Sequence, residues 1–215
     1  MSAIAKGPSP RGLFIAIEGI DGCGKTTQAA RLAAWLERTG RAVVRTFEPG
    51  GWSGGAALRS VILDGPDLPP EAELLLFLAD RAAHLAEVVR PALAGGRAVV
   101  CERYVASTWA YQAGGRGLDP ELVRGLVDRC GFPDPDMTIL LEISPDVAAA
   151  RLRGRGRHDR IEAGGAAFMA RVANAYADWA RRGAVGIIRV DAEGTEEDVA
   201  ARVQRAVEEK AGASL

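Results

Sequence analysis

The sequence predicts an α/β protein: a three-layer α/β/α domain in which a five-stranded parallel sheet is covered by helices on both faces. Two observations carry that expectation. Five short apolar runs, Leu13 to Ile17, Ala42 to Phe47, Ala98 to Cys101, Met137 to Ile143 and Val185 to Val190, alternate with longer segments of helical spacing. A β-α repeat of this kind closes as a mostly parallel sheet. Directly after the first run stands Glu18-Gly-Ile-Asp-Gly-Cys-Gly-Lys-Thr-Thr27, which fits Gly-x4-Gly-Lys-[Ser/Thr] at Gly19, Gly24, Lys25 and Thr26. Between a strand and a helix, that pattern is a phosphate-binding loop.

The elements follow in chain order. Met1 to Arg11 has no long apolar core and reads as a short disordered extension, which leaves residues 12–215 as a single domain. The first strand delivers the loop, whose glycines let successive N–H groups point at phosphates; a helix over Gln28 to Thr39 follows. Lysine occurs only at Lys6, Lys25 and Lys210, so Lys25 in the loop is not bulk composition. After the second strand, Gly50 to Gly55 reads as a loop that approaches something closely or as plain turns, and Gly114 to Gly117 reads the same way. Glu71 to Val89 has helical spacing, and Pro91 is expected to kink or end that helix. Ser144-Pro145 is an N-cap followed by proline at the first helical position, and Thr195 with Asp198 resembles a capping box. Each strand ends in charged or glycine-bearing residues, namely Glu18-Gly19, Glu48 to Gly51, Glu102 to Tyr104, Glu142 and Asp191. Ligands in an open parallel sheet sit beyond the carboxyl ends of the strands, so one rim collects the chemistry.

Composition bounds the class. In 215 residues, 27 Lys and Arg stand against 28 Asp and Glu, so no global positive field recruits nucleic acid or an anionic membrane. No stretch approaches the roughly 20 apolar residues of a spanning helix. Cys23, Cys101 and Cys130 lack C-x-x-C spacing and, with two histidines, give no zinc set. A reduced, cytoplasmic setting is expected.

A phosphate loop alone does not separate a kinase from a switch or a motor. Arg151, Arg153, Arg155, Arg157 and Arg160 crowd a segment between two helices. It is either a solvated helix end or a lid, about 151–162, closing over donor phosphates with guanidinium groups that never lose their charge. Phosphoryl transfer needs positioning and neutralised charge more than covalent work. A phosphate monoester acceptor brings its own nucleophilic oxygen, so scarce histidine is no handicap.

The loop Glu18 to Thr27, Glu48-Pro-Gly-Gly51, Phe77-Leu-Ala-Asp-Arg81, Glu102-Arg-Tyr-Val-Ala-Ser107, Ala110-Tyr-Gln112 and Asp159-Arg-Ile-Glu162 occur in one order over nearly the whole chain after Arg11. In this series the chain resembles the thymidylate kinases, in their bacterial form. The resemblance implies a P-loop nucleoside-monophosphate-kinase-like fold, transfer of the γ-phosphate of ATP to dTMP, magnesium, and a homodimer. It implies site roles as well. Gly19, Asp21, Gly22, Cys23, Gly24, Lys25, Thr26 and Thr27 would hold ATP, together with Arg151 and Arg155. Thr26 and Glu102 would serve the magnesium ion. Lys25, Arg103, Arg155 and Asp21 would be catalytic, with Arg103 bridging the two phosphates and Asp21 accepting from the acceptor's 3′-hydroxyl. Glu48, Arg59, Phe77, Arg81, Ser107, Thr108, Tyr111 and Gln112 would surround dTMP.

Residue spacing supports some of these roles and leaves others open. Phe77 and Arg81, four apart, share a helix face, so the ring can stack on thymine while the guanidinium meets a base carbonyl; alternatively Phe77 is core. Thr108, Tyr111 and Gln112 share a face too, with Tyr111 crowding the place of a ribose 2′-hydroxyl or simply pointing its own hydroxyl at the surface. Tyr176 lies near the lid or packs its helix. The chain departs from the family where Glu102 replaces aspartate, Phe47 replaces arginine and Trp52 replaces a small residue. The loop also lacks an arginine between Asp21 and Gly24, a charge the lid, chiefly Arg155, would supply. Two other functions fit a phosphate loop: a deoxynucleoside kinase, which needs a general base, and an ATPase switch, which needs no acceptor pocket.

Overall fold

The computed structural model describes residues 12–153, 160–161, 164–182 and 186–212. The extension expected over residues 1–11 and most of the expected lid, Arg155 and Arg157 included, lie outside the described residues. The chain runs β1 (Phe14–Glu18), α1 (Lys25–Arg38), β2 (Val43–Phe47), α2 (Gly55–Leu63), α3 (Pro70–His84), a π-helical stretch Leu85–Val89 and α4 (Arg90–Ala94). It continues through β3 (Ala98–Glu102), α5 (Val105–Thr108), a second π-helical stretch Trp109–Gly115, α6 (Pro120–Cys130), β4 (Met137–Glu142), α7 (Pro145–Arg153), α8 (Gly165–Arg181), β5 (Ile187–Asp191) and α9 (Glu196–Gly212).

The five strands form one sheet in the order β2-β3-β1-β4-β5, and every pair is parallel. Both faces are covered, and alternate residues show it. Ile15, Ile17, Ala98 and Val100 enter a core with α1 and α9, whereas Phe14, Ala16, Val99 and Cys101 enter another with Leu85, Val89 and Tyr104. β1 is central, with β3 on one side and β4 on the other, so its carboxyl end is the point where strand order reverses. The phosphate loop leaves the sheet there, as the rule for open α/β sheets requires.

Local signals act as the sequence implies. Ser144 Oγ accepts from Val147 N–H at 3.3 Å at the start of α7. Thr195 and Asp198 exchange backbone and side-chain bonds of 3.2 and 3.1 Å ahead of α9, a reciprocal capping box. At Pro91 the helical path does not end: it widens into the π-helical Leu85–Val89, where Arg90 N–H reaches back to the Leu85 carbonyl, and then resumes as α4. Proline has no N–H and its ring crowds the carbonyl four residues back, and a wider turn upstream relieves both. The lid's first residues, Arg151 to Arg153, are the last residues of α7 rather than a separate segment.

Candidate active site

The phosphate loop folds tightly because its glycines adopt conformations closed to other residues. Gly22 has φ +85°, and a Cβ there would lie 2.4 Å from the Ala148 carbonyl oxygen. The helix α1 starts at Lys25 behind a left-handed Gly24, so Lys25 and Thr26 sit in its first turn, where free N–H groups and the helix dipole favour an anion. Lys25 is buried and its ammonium donates to the carbonyls of Gly19 (3.0 Å) and Ile20 (2.9 Å), with Asp21 3.7 Å away. Cys23 is buried, and burial pushes its thiol up against the opposing pull of Lys25 and Arg103, so it packs the loop as a neutral side chain.

The end of β3 meets this loop from the side. Arg103 has φ +67°, the one positive value at a non-glycine among the described residues, and holds it while its N–H donates to the Ile17 carbonyl at 2.9 Å. Such strain costs roughly 1–2 kcal/mol and clusters at working sites. Its guanidinium pairs with Asp21, donates to Tyr111 Oη (3.2 Å) and Ser107 Oγ (3.3 Å), and stacks 4.9 Å from the Tyr111 ring centre. Tyr111 in turn donates to Asp21 at 2.7 Å. Burial would raise the Asp21 carboxyl, but the charges of Arg103 and Lys25 and the Tyr111 bond outweigh it and hold the group well below the usual carboxylate range. One residue back, Glu102 accepts from Thr26 Oγ at 2.7 Å. The hydroxyl and carboxylate expected to serve a metal therefore already meet.

Beyond Arg103 opens a cavity of about 450 Å³. Phe77 and Arg81 reach it from α3, Ser107 and Thr108 from α5, Tyr111 and Gln112 from the second π-helical stretch, Glu48 from just past β2 and Arg59 from α2. Thr108, Tyr111 and Gln112 share the cavity as expected, although the backbone under the last two is π-helical rather than α-helical. Arg81 is almost wholly buried, and its three nitrogens donate to Glu48 (2.6 Å), Thr108 (2.8 Å) and the Tyr104 carbonyl (2.9 Å). Phe77 is half-buried, packs against the core and also lines the cavity, so it is not simply a core residue. Where the family has arginine, Phe47 stands exposed with Arg59 stacked 5.5 Å from its ring centre, and Arg59 donates to the Pro49 carbonyl at 2.7 Å. Trp52 is no free substituent either: its indole N–H donates to Asp80 at 2.8 Å and ties the glycine turn to α3.

A second cavity of about 370 Å³ opens on the other side of the loop, and Gly22 and Gly24 line both. Cys23, Thr27 and Arg151 border it together with Gly194 to Glu196. Arg151 donates to the carbonyls of Ala192 (3.2 Å) and Gly194 (3.4 Å), so it walls this cavity by holding the β5–α9 connection.

Several working groups escaped the reading of the sequence. Glu18 is fully buried and accepts from Tyr104 N–H (2.7 Å), Ser107 N–H (3.1 Å), Ser107 Oγ (2.6 Å) and Tyr176 Oη (2.9 Å). It binds the phosphate-loop strand to α5 and assigns Tyr176 a role inside the site. A glutamate closing an otherwise apolar strand was its only signal. His84 bridges Glu48 (2.9 Å) and Thr46 (2.7 Å). With Cys101 and Glu48 it forms a buried group of potential ligands within 4.8 Å of one another, but Glu48 is already paired with Arg81 and both His84 nitrogens are engaged.

The sequence profile for thymidylate kinase matches residues 17–203. Among similar proteins, a thymidylate kinase of Leifsonia xyli subsp. xyli is 48% identical over 196 residues, covering 90% of this chain and 93% of its own length. Those of Nitratidesulfovibrio vulgaris and Bifidobacterium longum are 46% identical over 197 residues and 47% over 175 residues, covering 87% and 79% of this chain and 88% and 84% of their own lengths. With a parallel sheet that delivers a phosphate loop to its reversal point and two cavities meeting at that loop, the chain belongs to the thymidylate kinase family.

Proposed function

We propose that this chain transfers the γ-phosphoryl group of ATP to dTMP, giving ADP and dTDP, and that the two cavities take the donor and the acceptor. The observation that carries this reading is the junction between them. Lys25, Arg103 and Asp21 lie within one contact network where the cavities share Gly22 and Gly24. An in-line transfer needs its cations there, because charge spreads over the moving phosphoryl group and both nucleotides are anions.

In the donor half, the loop amides from Gly19 to Thr27 and the Lys25 ammonium hold the phosphates. Lys25 exchanges its two carbonyl partners for phosphate oxygens, a charge-assisted bond replacing neutral ones. Arg151, which borders the second cavity, belongs to the same half, and Arg155 is assigned to it on the family resemblance alone. In the acceptor half, the dTMP phosphate meets Arg103 and Arg59, Asp21 accepts from the 3′-hydroxyl with a lone pair left by Arg103 and Tyr111, and Phe77 stacks on the base. Arg81 has two N–H groups beyond the three in use, and these face the base carbonyl. Glu48 acts through Arg81 by fixing its plane. No general base is required, since the monoester oxygen is already a nucleophile.

Magnesium fits this site. Thr26 and Glu102 offer a hydroxyl and a carboxylate oxygen 2.7 Å apart, the hard oxygen set that such an ion takes alongside substrate phosphates. These two residues would hold it, and when bound it supplies neutralisation of the β- and γ-phosphate oxygens. A homodimer is part of the proposal; exposed Val61, Leu75 and Leu122 lie on α2, α3 and α6, of which α3 packs against the other two, and they offer apolar surface for a second copy. Cytoplasmic placement is proposed on three free cysteines and nucleotide substrates; among the described residues no helix is long and apolar enough to cross a membrane. The test is a survey of nucleoside monophosphates, and thymidine, with ATP and magnesium. dTDP formed from dTMP is the expected result, and its absence at saturation refutes the assignment.

A further inference from the structure

Glu73, like Glu18, is a buried carboxylate that accepts four hydrogen bonds. It lies in the first turn of α3, fully buried, and accepts from Gln112 Nε2 (3.1 Å), from Arg116 Nε (3.0 Å) and Nη2 (2.9 Å), and from Arg160 Nη2 (2.7 Å). Burial would raise its carboxyl, but the Arg116 and Gln112 bonds, the Arg116 charge and the Arg160 bond outweigh it and lower it. It is an ionised acceptor with no proton to give.

That chemistry fixes one atom of the acceptor cavity. A carboxylate only accepts, so the Gln112 side chain must turn its NH2 to Glu73 and its carbonyl oxygen the other way. Gln112 lines the cavity. Its Oε1 has no hydrogen-bond partner among the described residues, yet it is not among the sealed unpartnered atoms, of which Gln28 Oε1 is the one described case. It therefore opens on the cavity as a fixed acceptor, and Arg81, which lines the same cavity, keeps two N–H groups beyond the three in use. A donor and an acceptor lining one cavity match a pyrimidine with a carbonyl at position 4 and an N–H at position 3. A 4-amino pyrimidine presents the reverse order and mismatches both.

We propose that Glu73 is a positioning residue for base selection: by locking the Gln112 amide it makes the cavity accept 4-keto and reject 4-amino pyrimidine monophosphates. Arg116 and Arg160 keep it charged and in place. The inference rests on the proposed acceptor role of this cavity, and it adds a residue that touches no substrate.

The experiment compares kcat/KM for dTMP and dCMP in the full chain and in Glu73→Gln, whose amide can pair with Gln112 in either orientation. The expected result is a fall of about tenfold or more in the preference for dTMP over dCMP, because a site that hydrogen-bonds its substrate discriminates strongly only while its polar groups stay aimed. A purely structural role would lower both values together and leave the ratio unchanged. Should Glu73→Gln not fold, Glu73→Asp keeps a negative charge among these groups while shortening its reach to Gln112, and the same ratio is read. In Gln112→Met the added change at Glu73 should leave the ratio where Gln112→Met alone puts it, whereas independent effects would add. A folded Glu73 variant with an unaltered ratio, or additive effects, overturns the proposal. An unsubstituted chain that cannot phosphorylate dTMP refutes instead the acceptor assignment beneath it.

Discussion

Replacing Arg103 by alanine removes the cation that stands between the two proposed nucleotide sites. Its guanidinium contacts Asp21, Tyr111 and Ser107, and Lys25 shares Asp21 with it at 3.7 Å. Two unit charges about 4 Å apart interact with roughly 4 kcal/mol at an effective dielectric constant of about 20. Only the part that grows in the transition state accelerates the reaction. A loss of roughly 3 kcal/mol, a factor of at least about one hundred in turnover, is therefore expected, as for deletion of one preorganised donor elsewhere. Steady-state assay of dTDP formation at saturating ATP, dTMP and magnesium measures it. Arg103→Gly serves as an internal control. It should lose the same activity but be more stable than Arg103→Ala by about 1 kcal/mol, because φ +67° is strained for alanine and open to glycine. Thermal unfolding separates the two variants. Turnover within threefold of the unsubstituted chain would refute the placement of Arg103 between the phosphates. Equal stability of the alanine and glycine variants would refute the strain.

Further outcomes follow from the same geometry. Arg81→Ala should raise the KM for dTMP far more than that for ATP, and it should lower stability by about 3–5 kcal/mol because it strands Glu48 in a buried pair; equal KM changes would remove Arg81 from the base. Glu18→Gln turns an amide NH2 toward hydroxyl and backbone donors and should cost about 1–3 kcal/mol, read as a lower melting temperature; an unshifted melting curve contradicts the network. Asp21 has a folded-state carboxyl held below its ordinary value of 3.8, so it binds its proton less readily when folded. The stability it contributes is present above about pH 4 and fades as the pH falls below that value. Asp21→Asn should be less stable from pH 5 to 8 and converge with the unsubstituted chain in acid, and a gap that widens in acid reverses the sign. dTMP and dUMP differ by one methyl, worth about 1–3 kcal/mol in an apolar pocket, so measurable turnover of dUMP is expected, and none at all would mean a pocket that reads the methyl more strictly.

The sequence by itself determined the sheet and the loop. Apolar runs buried on both faces leave few alternatives to a parallel sheet, and a glycine pattern followed by Lys25 and Thr26 fixes its own local geometry. Capping at Ser144 and Thr195 was legible for the same reason: its donors and acceptors lie within four residues. The π-helical stretches were not legible, since α- and π-helical turns present nearly the same apolar periodicity over so few residues. Pro91 announced a disturbance without saying that the chain would absorb it upstream.

Tertiary structure decided which charged side chains face one another. Glu18, Glu48 and Glu73 sit in apolar surroundings in the sequence, and their partners come from 33 to 158 residues away. Burial of a charge is tolerable only when such partners converge, and convergence is a property of the packed sheet that no local spacing encodes. Arg103 is the sharpest case. The motif named it, but its left-handed backbone and its grip on Asp21 exist only because β1 and β3 lie side by side.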